Sequence, residues 1–336
     1  MDVLTQGLLG SALSQSIANK KETRLATGIG FFSGLIADAD VLIGSSSDPL
    51  LTIEFHRHFT HSILFIPVGA LIAALLLWPF IKSKLEFRRL YLFCFMGYSL
   101  SGFIDTCTSY GTHLLWPFND ERLAFHIISI VDPIFTGMLF IAVVWAWLKY
   151  RSRLAHVGLV LCGIYLLLGT LQLYRATDLA EELAESRNHD VDHLIVKPTF
   201  GNILLWRSTY ISNGRIYVDA VRPGIFDNNV YKGESIALFV AERDAPDIAI
   251  DSVLYKDIIR FKTFSENYIA MDPRYDNILG DMRYGMLPTS TKSMWGITLD
   301  NNQPDKHARY NFFRENTPSI RSKFWSMLTG KSDETP

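Results

Sequence analysis

The sequence predicts an α-helical polytopic membrane domain of about five spans, followed by a small, mostly antiparallel α+β domain outside the cytoplasm. Two observations predict this division. Of the 336 residues, 49% are hydrophobic, and the apolar residues crowd between Leu25 and Tyr174. After Tyr174 the sequence has the mixed composition and turn residues of a soluble domain. We therefore expect an amphipathic N-terminal segment (1–24), a membrane domain (25–174) and an extracytoplasmic domain (175–336).

Five apolar runs each have about the 20 residues that a hydrocarbon core of ~30 Å requires. They are Leu25–Gly44, Ser62–Ile81, Leu90–Tyr110, His126–Leu148 and Ala155–Tyr174. The loops on one side of these spans carry ten basic residues, whereas the loops on the other side carry Arg57 and Arg122. The positive-inside rule then places the amino terminus inside the cell and the residues after Tyr174 outside it.

Shorter patterns predict the remaining elements. Residues 2–18 are typical of a short amphipathic helix that lies along the membrane or packs against other helices. In the second domain, Ile203–Ile211 and Arg215–Val221 flank Ser-Asn-Gly, which predicts a β-hairpin. Further candidates are the strands Ile236–Ala241 and Met294–Leu299 and an acidic helix over Ala176–Arg187.

The stretch from His56 to Ser62 carries most of the chemistry. It reads His-Arg-His-Phe-Thr-His-Ser and stands directly before an apolar run. Neutral histidine is the commonest transition-metal ligand among side chains, and packing a membrane helix does not require three histidines. The ligand choice stays open, because a helix places His58 and His61 on one face and an extended chain places His56 and His58 together. A solvated interfacial loop is the alternative.

Acidic residues and further histidines fall at the same predicted membrane face. A carboxylate inside a membrane is energetically costly, so each one here is a candidate for function with a partner. The carboxylate candidates are Asp38, Asp40, Asp105 and Asp132, and His113 is a further candidate. Three or four such ligands can hold Zn²⁺ or Mn²⁺ and leave a position open for water. Arg57 could pair with an anionic substrate.

The composition argues against several other classes of protein. A net charge of −2 gives no reason to expect a nucleic-acid partner, and the three cysteines lie in apolar runs without CxxC spacing. An ion-coupled transporter with a relay of Asp105 and Asp132 is a competing class, but five spans without an inverted repeat are an unusual transporter design. The sequence does not indicate an oligomeric state.

Together these motifs resemble the LexA-regulated, membrane-bound, metal-dependent hydrolase family. The shared motifs are the opening Met-Asp-x-x-Thr, the Asp-x-Asp at 38–40, the His-Arg-x-x-Thr-His-Ser at 56–62, the Asp-x-x-Thr-Ser-Tyr-Gly-Thr-x-Leu-Leu-x-Pro-Phe at 105–118, Val-Asp-Pro at 131–133 and Asn202 with Trp206-Arg207. The similarity covers most of the chain. It implies a multi-pass protein of the bacterial inner membrane, expressed in the SOS response and grouped with zinc-dependent phospholipase C and P1-type nucleases.

Two positions depart from the family pattern. The family usually has histidine after the opening Thr, and often has histidine four residues before the aspartate of the third span. This chain has Gln6 and Ser101 at those positions. Glutamine is a poorer zinc ligand than imidazole, so a catalytically inactive stress-response or scaffold protein is the alternative that these replacements favour.

The function we expect is metal-dependent hydrolysis of a phosphoester or acyl ester, in which a lipid substrate is one option, at the outer membrane interface. The expected metal ligands are Asp38, His56, His61 and Asp105, with Asp40, His113 and Asp132 in support. Asp105 and Arg57 are the expected catalytic residues. The expected partners are the bilayer and this substrate.

Overall fold

A computed structural model describes residues 1–331 of the chain. The helices are α1 (Val3–Ser16), α2 (Thr23–Ile36), α3 (Leu50–Phe55), α4 (Ile66–Ile81), α5 (Phe87–Tyr98), α6 (Ser101–Thr106), α7 (Pro133–Lys149), α8 (Ser152–Ser186), α9 (Ala241–Asp244), α10 (Val253–Phe264) and α11 (Pro318–Leu328). The strands are β1 (His193–Pro198), β2 (Trp206–Ser212), β3 (Arg215–Arg222), β4 (Asn229–Tyr231), β5 (Ser235–Ala237), β6 (Ile269–Met271), β7 (Ile278–Asp281), β8 (Trp295–Thr298) and β9 (Arg309–Phe312). Short 3₁₀ turns cover Ala37–Leu42, Phe59–His61 and Ile63–Phe65.

The chain divides into two compact units. The first contains Met1–Ile43, Phe55–Leu171 and Phe200–Asn202, and the second contains Gly44–Glu54, Gln172–Thr199 and the chain from Ile203 onward. Helices and turns make up the first unit, and the named strands all lie in the second. The structure thus confirms a helical N-terminal region followed by an antiparallel sheet domain.

Three helical segments among the described residues are long and apolar enough to cross a membrane. They are Thr23–Leu42, Ile63–Ile81 and Ser152–Ser186. The third predicted span is broken instead, since α5 ends at Tyr98 and α6 begins at Ser101. The 12 residues of α5 extend only ~18 Å, which is less than the hydrocarbon core of ~30 Å. A count of five full-length spans is therefore not confirmed.

The fourth predicted span forms a shorter apolar helix. Although the apolar run starts at His126, α7 begins only at Pro133. Proline suits the first turn of a helix because the missing N–H has no partner there. The preceding Asp132 caps this turn by accepting hydrogen bonds from the backbone N–H groups of Ile134 and Phe135. The sequence window therefore placed the start of this helix too early.

Helix α1 packs within the first unit, which is one of the two placements that the sequence allowed. Its residues from Thr5 to Gln15 are buried, and it lies against α2, α5 and α7. Glycine makes the contact with α2 possible, since a Cβ at Gly10 would collide with the carbonyl oxygen of Gly30. The hydroxyl of Ser11 also donates to the carbonyl of Thr27 at 3.0 Å.

The second unit contains two antiparallel sheets. One has the order β1-β2-β3-β4 with β5 also paired to β3, and the other has the order β6-β7-β8-β9. The predicted hairpin is confirmed as β2 and β3, joined through Asn213 and Gly214 with φ of 49° and 70°. Two successive positive φ angles are typical of the turns that match the twist of a hairpin. Predicted strand Met294–Leu299 contains β8, and the predicted acidic helix is the last part of α8.

The loop between β3 and β4 presents two large apolar side chains to the surroundings. Ile225 is 89% exposed and Phe226 is 95% exposed. The Gln172 side chain donates to the carbonyl of Pro223 at 3.1 Å, and Arg175 donates to the carbonyl of Gly224. The loop is therefore held beside the part of α8 where its apolar run ends.

Candidate metal centre

Three side chains from separate segments converge in the first unit. Asp38 lies in the 3₁₀ turn that follows α2, His61 lies in the turn before α4, and Asp105 lies in α6. The Nε2 atom of His61 is 3.3 Å from Asp38 Oδ1 and 3.1 Å from Asp105 Oδ2. One ligand atom from each residue lies within 4.8 Å of the other two, which is a spacing that a shared cation can occupy. We call these three residues the Asp38 group.

Several buried polar atoms of this site lack a hydrogen bond of normal geometry among the described residues. They are Asp38 Oδ2, His61 Nε2, Asp105 Oδ2 and Arg57 Nε. Buried polar atoms are usually paired, so each exception calls for an explanation such as an ion. A carboxylate, an imidazole and a second carboxylate form a donor set that Zn²⁺ and similar dications accept. The residues present therefore fit a bound divalent metal.

Asp40 lies behind His61 and orients it. Its Oδ2 accepts hydrogen bonds from the Thr60 hydroxyl at 2.9 Å and from the Arg57 backbone N–H at 2.7 Å. Because the single hydroxyl proton of Thr60 points to Asp40, the Thr60 oxygen is an acceptor for Nδ1–H of His61, 3.0 Å away. This assignment leaves the lone pair of His61 on Nε2, which faces the two other members of the Asp38 group. A carboxylate that fixes the tautomer of a metal-binding histidine is a common outer-shell partner.

His56 also contacts Asp40 and lies outside the Asp38 group. Its Nδ1 is 3.0 Å from Asp40 Oδ1, and its side chain is 24% exposed. The structure therefore brings two of the expected ligands, His56 and Asp40, into contact with each other behind His61.

Arg57 is buried in this site, with 3% of its surface exposed. Its Nε is 3.2 Å from Asp105 Oδ2, and its Nη1 donates to the Thr108 hydroxyl at 2.9 Å. Its φ of 60° lies in the left-handed region, which non-glycine residues rarely adopt without support. The supports are the bond from its N–H to Asp40 and the bond that its carbonyl accepts from the His113 N–H at 3.0 Å.

The left-handed residue also determines which histidines come together. The chain reverses at Arg57, so His56 and His61 both reach Asp40 while His58 faces away toward His113. Neither the helical nor the extended arrangement predicted from the sequence describes this turn. The sequence contained no signal for it, because arginine has no preference for positive φ.

The charges around His61 favour an additional positive charge. Three carboxylates contact this ring, from Asp38, Asp40 and Asp105. Arg57 and the α-amino group of Met1 both pair with Asp105, so at most two positive charges face the three carboxylates. Burial opposes a charged imidazole, but hydrogen bonds to the carboxylates raise the pKa of His61 to about 10. The missing charge can come from a proton on this ring or from a cation beside it.

The two positions that depart from the family pattern lie next to each other. The Gln6 side-chain amide donates to the carbonyl of Ser101 at 3.3 Å, and both residues are buried. The amide oxygen of Gln6 has no hydrogen-bond partner among the described residues. Ser101 precedes Asp105 by one helical turn of α6 and thus shares its face.

The remaining expected ligands lie outside the Asp38 group. Asp132 caps α7, and its other carboxylate oxygen accepts a hydrogen bond from the Tyr165 hydroxyl at 2.8 Å. His113 contacts His58 and Asp120 instead. Sequence reasoning named His58 as one of three candidates but missed its pairing with Asp120, which lies 62 positions later and carries no motif.

The comparisons with known proteins identify the family. A family model described as YdjM inner membrane protein matches residues 1–176, which is more than half of the chain. The chain belongs to the YdjM inner membrane protein family. Neither a curated protein nor a solved structure matches it.

The YdjM match covers every residue of the Asp38 group and its surroundings. It extends from α1 into α8 and ends before the sheets of the second unit. Membership, together with the three long apolar helices, supports an inner-membrane location. Hydrolase activity and control by LexA go beyond this description.

Proposed function

We propose that the chain is a metal-dependent hydrolase that cleaves a phosphoester or acyl ester at the outer face of the inner membrane. The observation that carries this proposal is the Asp38 group, in which two carboxylates and an imidazole converge with unpaired, buried ligand atoms. A bound dication would acidify water to a pKa of ~7 and polarise a phosphoryl or acyl oxygen.

The protein residues have separate roles in this proposal. Asp38, His61 and Asp105 hold the metal, and Asp40 keeps the Nε2 lone pair of His61 directed toward it. Arg57 keeps Asp105 ionised and in place, since it is buried against that carboxylate. A buried Arg57 is poorly placed for the substrate contact expected from the sequence, so we assign it a positioning role.

The proposed orientation depends on the distribution of basic residues. The ten are Lys20, Lys21, Arg24, Lys82, Lys84, Arg88, Arg89, Lys149, Arg151 and Arg153. They lie before α2 and in its first turn, from the end of α4 into the first turn of α5, and around the junction of α7 and α8. A basic loop stands both where the chain enters the α5–α7 region and where it leaves it. The start of α8 therefore lies on the same side of the membrane as the end of α4, whether or not the shorter helices α5 to α7 cross the membrane. The inferred arrangement keeps the amino terminus inside, and the Asp38 group and the sheet domain outside.

Metal analysis and hydrolysis assays on the purified, detergent-solubilised protein test the proposal. We expect His61→Gln to bind about one equivalent of Zn²⁺ or Mn²⁺ less than the wild type. The same variant should lose hydrolysis of phosphodiester, phospholipid or acyl-ester reporters. His156→Gln is the matched control, because His156 is exposed and its hydrogen bond among residues 1–331 is to Ser152 of its own helix. Full metal content in a folded His61→Gln protein would exclude the Asp38 group as the metal site.

The inactive scaffold is a second candidate, and the contact of Gln6 with Ser101 favours it. The amide and hydroxymethyl groups occupy positions where the resembling family has imidazoles, so the site offers fewer strong ligands. Stoichiometric metal without turnover of any reporter would support this candidate over the hydrolase. Control by LexA is inferred from the resemblance alone, and a rise in transcript after DNA damage tests it.

A further inference from the structure

His58, His113 and Asp120 form a second group of metal-capable side chains. One ligand atom from each lies within 4.8 Å of the other two. Asp120 Oδ1 is 3.4 Å from His113 Nδ1 and 3.6 Å from His58 Nε2. The two imidazole rings face each other with centroids 4.3 Å apart. This group shares no member with the Asp38 group, and Asp120 is on a different loop from His58.

His113 is buried and His58 is partly buried, and contacts within the protein hold both in place. His113 is 8% exposed, and its backbone N–H donates to the carbonyl of Arg57, the neighbour of His58. The ring of His58 lies against Phe55 and Trp116, with centroids 5.6 and 5.7 Å away. Such support fixes ring orientation, which a metal site requires.

Neither ring has its nitrogen atoms fully satisfied. Among the described residues, Nδ1 of His58 and Nδ1 of His113 are buried without a hydrogen bond of normal geometry. An unpaired imidazole nitrogen in a buried position calls for a partner. The side chain of Asp120 is 81% exposed, so it can rotate to complete a set of ligands and leave a position for water.

We propose that His58, His113 and Asp120 bind a transition-metal dication, at a second site independent of the proposed hydrolase function. Two imidazoles and one carboxylate suit Zn²⁺, Ni²⁺ and Cu²⁺ and are a poor set for Mg²⁺ or Ca²⁺. A bound ion links the turn at Arg57–His58 to the loop that carries His113 and Asp120. It thereby stiffens the turn whose Arg57 contacts Asp105, and the loop whose His113 N–H bonds to the Arg57 carbonyl.

The competing explanation is a packed, tilted histidine pair that binds no ion. Aromatic rings at such distances pack favourably without a metal. Arg122 also acts electrostatically on both rings and disfavours added positive charge, which Asp120 opposes. Metal binding and ring packing predict different results for a phenylalanine substitution, because phenylalanine keeps a ring and removes the ligand nitrogens.

The test counts bound metal in purified full-length protein loaded with Zn²⁺ and then desalted. His113→Phe and Asp120→Asn are the test variants, each made in the wild type and in His61→Gln. We expect His113→Phe to remove one equivalent in both backgrounds, and Asp120→Asn to weaken binding by at least about tenfold. His156→Gln should bind as much as its parent. Cu²⁺ loaded into the His61→Gln protein should show nitrogen couplings by electron paramagnetic resonance, and His113→Phe should lose them.

The outcomes separate this site from the Asp38 group. If the wild type binds a single equivalent that disappears with His61→Gln and persists in His113→Phe, the second site is overturned and the first is retained. If that single equivalent persists in His61→Gln and disappears with His113→Phe, the first site is overturned and the second is retained. Should His113→Phe unfold, the smaller Asp120→Asn change at an exposed side chain gives the answer, and unchanged Zn²⁺ affinity in that variant counts against the proposal.

Discussion

Asp38 and Asp105 allow metal binding to be separated from folding. Both belong to the Asp38 group, but their other contacts differ. Asp105 is fully buried and pairs with Arg57 and the amino group of Met1. Asp38 has a side chain that is 15% exposed and contacts His61, and its Oδ2 has no hydrogen-bond partner in the described part of the chain. Replacing each by asparagine keeps the shape and removes the charge.

The two substitutions should differ in stability when no metal is bound. Asp105→Asn leaves the buried guanidinium of Arg57 without its carboxylate, and breaking a buried pair in this way costs ~3–5 kcal/mol. Asp38→Asn weakens one contact at 3.3 Å, so the cost should be at most about 1.5 kcal/mol, the upper range for an ordinary hydrogen bond. It also relieves the excess of negative charge around His61. Both substitutions should weaken metal binding at least tenfold, which corresponds to ~1.4 kcal/mol.

Thermal unfolding in detergent, with and without chelator, measures these effects beside metal content by mass spectrometry. With chelator, Asp38→Asn should unfold close to the wild type, while Asp105→Asn unfolds at a clearly lower temperature. Without chelator, metal should stabilise the wild type more than it stabilises Asp38→Asn. Full metal occupancy in Asp38→Asn would refute the ligand assignment. Equal stability of Asp105→Asn and wild type in chelator would refute the charge argument for Arg57.

Four further predictions concern other parts of the chain. Gln6→His should tighten Zn²⁺ binding about tenfold in competition with a graded chelator, since it places an imidazole beside Ser101; no shift would place Gln6 away from the metal. Burial lowers the pKa of Lys197 below its usual 10.5, so the unfolded chain binds more protons than the folded chain, and the free energy of unfolding rises with pH up to about 10.5. Lys197→Met should flatten this rise, measured by chemical denaturation at several pH values. An unchanged slope in the variant would contradict the prediction. A spin label on Phe226→Cys should lie at lipid depth in liposomes, whereas a label on Ile250→Cys, also exposed, should report water; the three native cysteines are buried and should not react. A periplasm-active reporter fused after Tyr174 should be active, and activity of a cytoplasmic reporter there would reverse the orientation.

Sequence patterns predicted those parts of the fold that depend on local chemistry. The hairpin follows from Ser-Asn-Gly, because Asn213 and Gly214 tolerate positive φ. Hydropathy identified the apolar runs but could not show where helices break inside them. Leu100 interrupts the third run, and Asp132 with Pro133 starts the helix of the fourth late. A sliding average of hydropathy does not register these positions as breaks, since Leu100 is itself apolar, whereas capping and proline geometry decide helix ends.

The candidate site was predictable in composition and less so in arrangement. Asp38, His61 and Asp105 were named from the sequence, and the structure brings them together. Asp40 fixes the tautomer of His61 through the hydroxyl proton of Thr60, and the left-handed backbone of Arg57 turns His58 away from Asp40. Both are consequences of tertiary contacts that no spacing rule contains.

A third group of histidine and carboxylates shows why unpaired atoms matter more than proximity. In the second unit, Asp48, Asp257 and His307 meet the same distance criterion as the Asp38 group. There the guanidinium of Arg260 donates to Asp48 at 3.1 Å and to Asp257 at 2.7 Å, and it also pairs with Glu54.

The two groups therefore differ in how their negative charge is balanced. In the second unit a single arginine contacts both carboxylates of the group, and His307 and the N–H of Ala308 satisfy Asp257 further. Arg57 contacts only Asp105 within the Asp38 group, so Asp38 Oδ2 and His61 Nε2 keep unused lone pairs in a buried space. Proximity of ligands is common to both groups, but only the Asp38 group leaves a place for a cation that the protein does not itself provide.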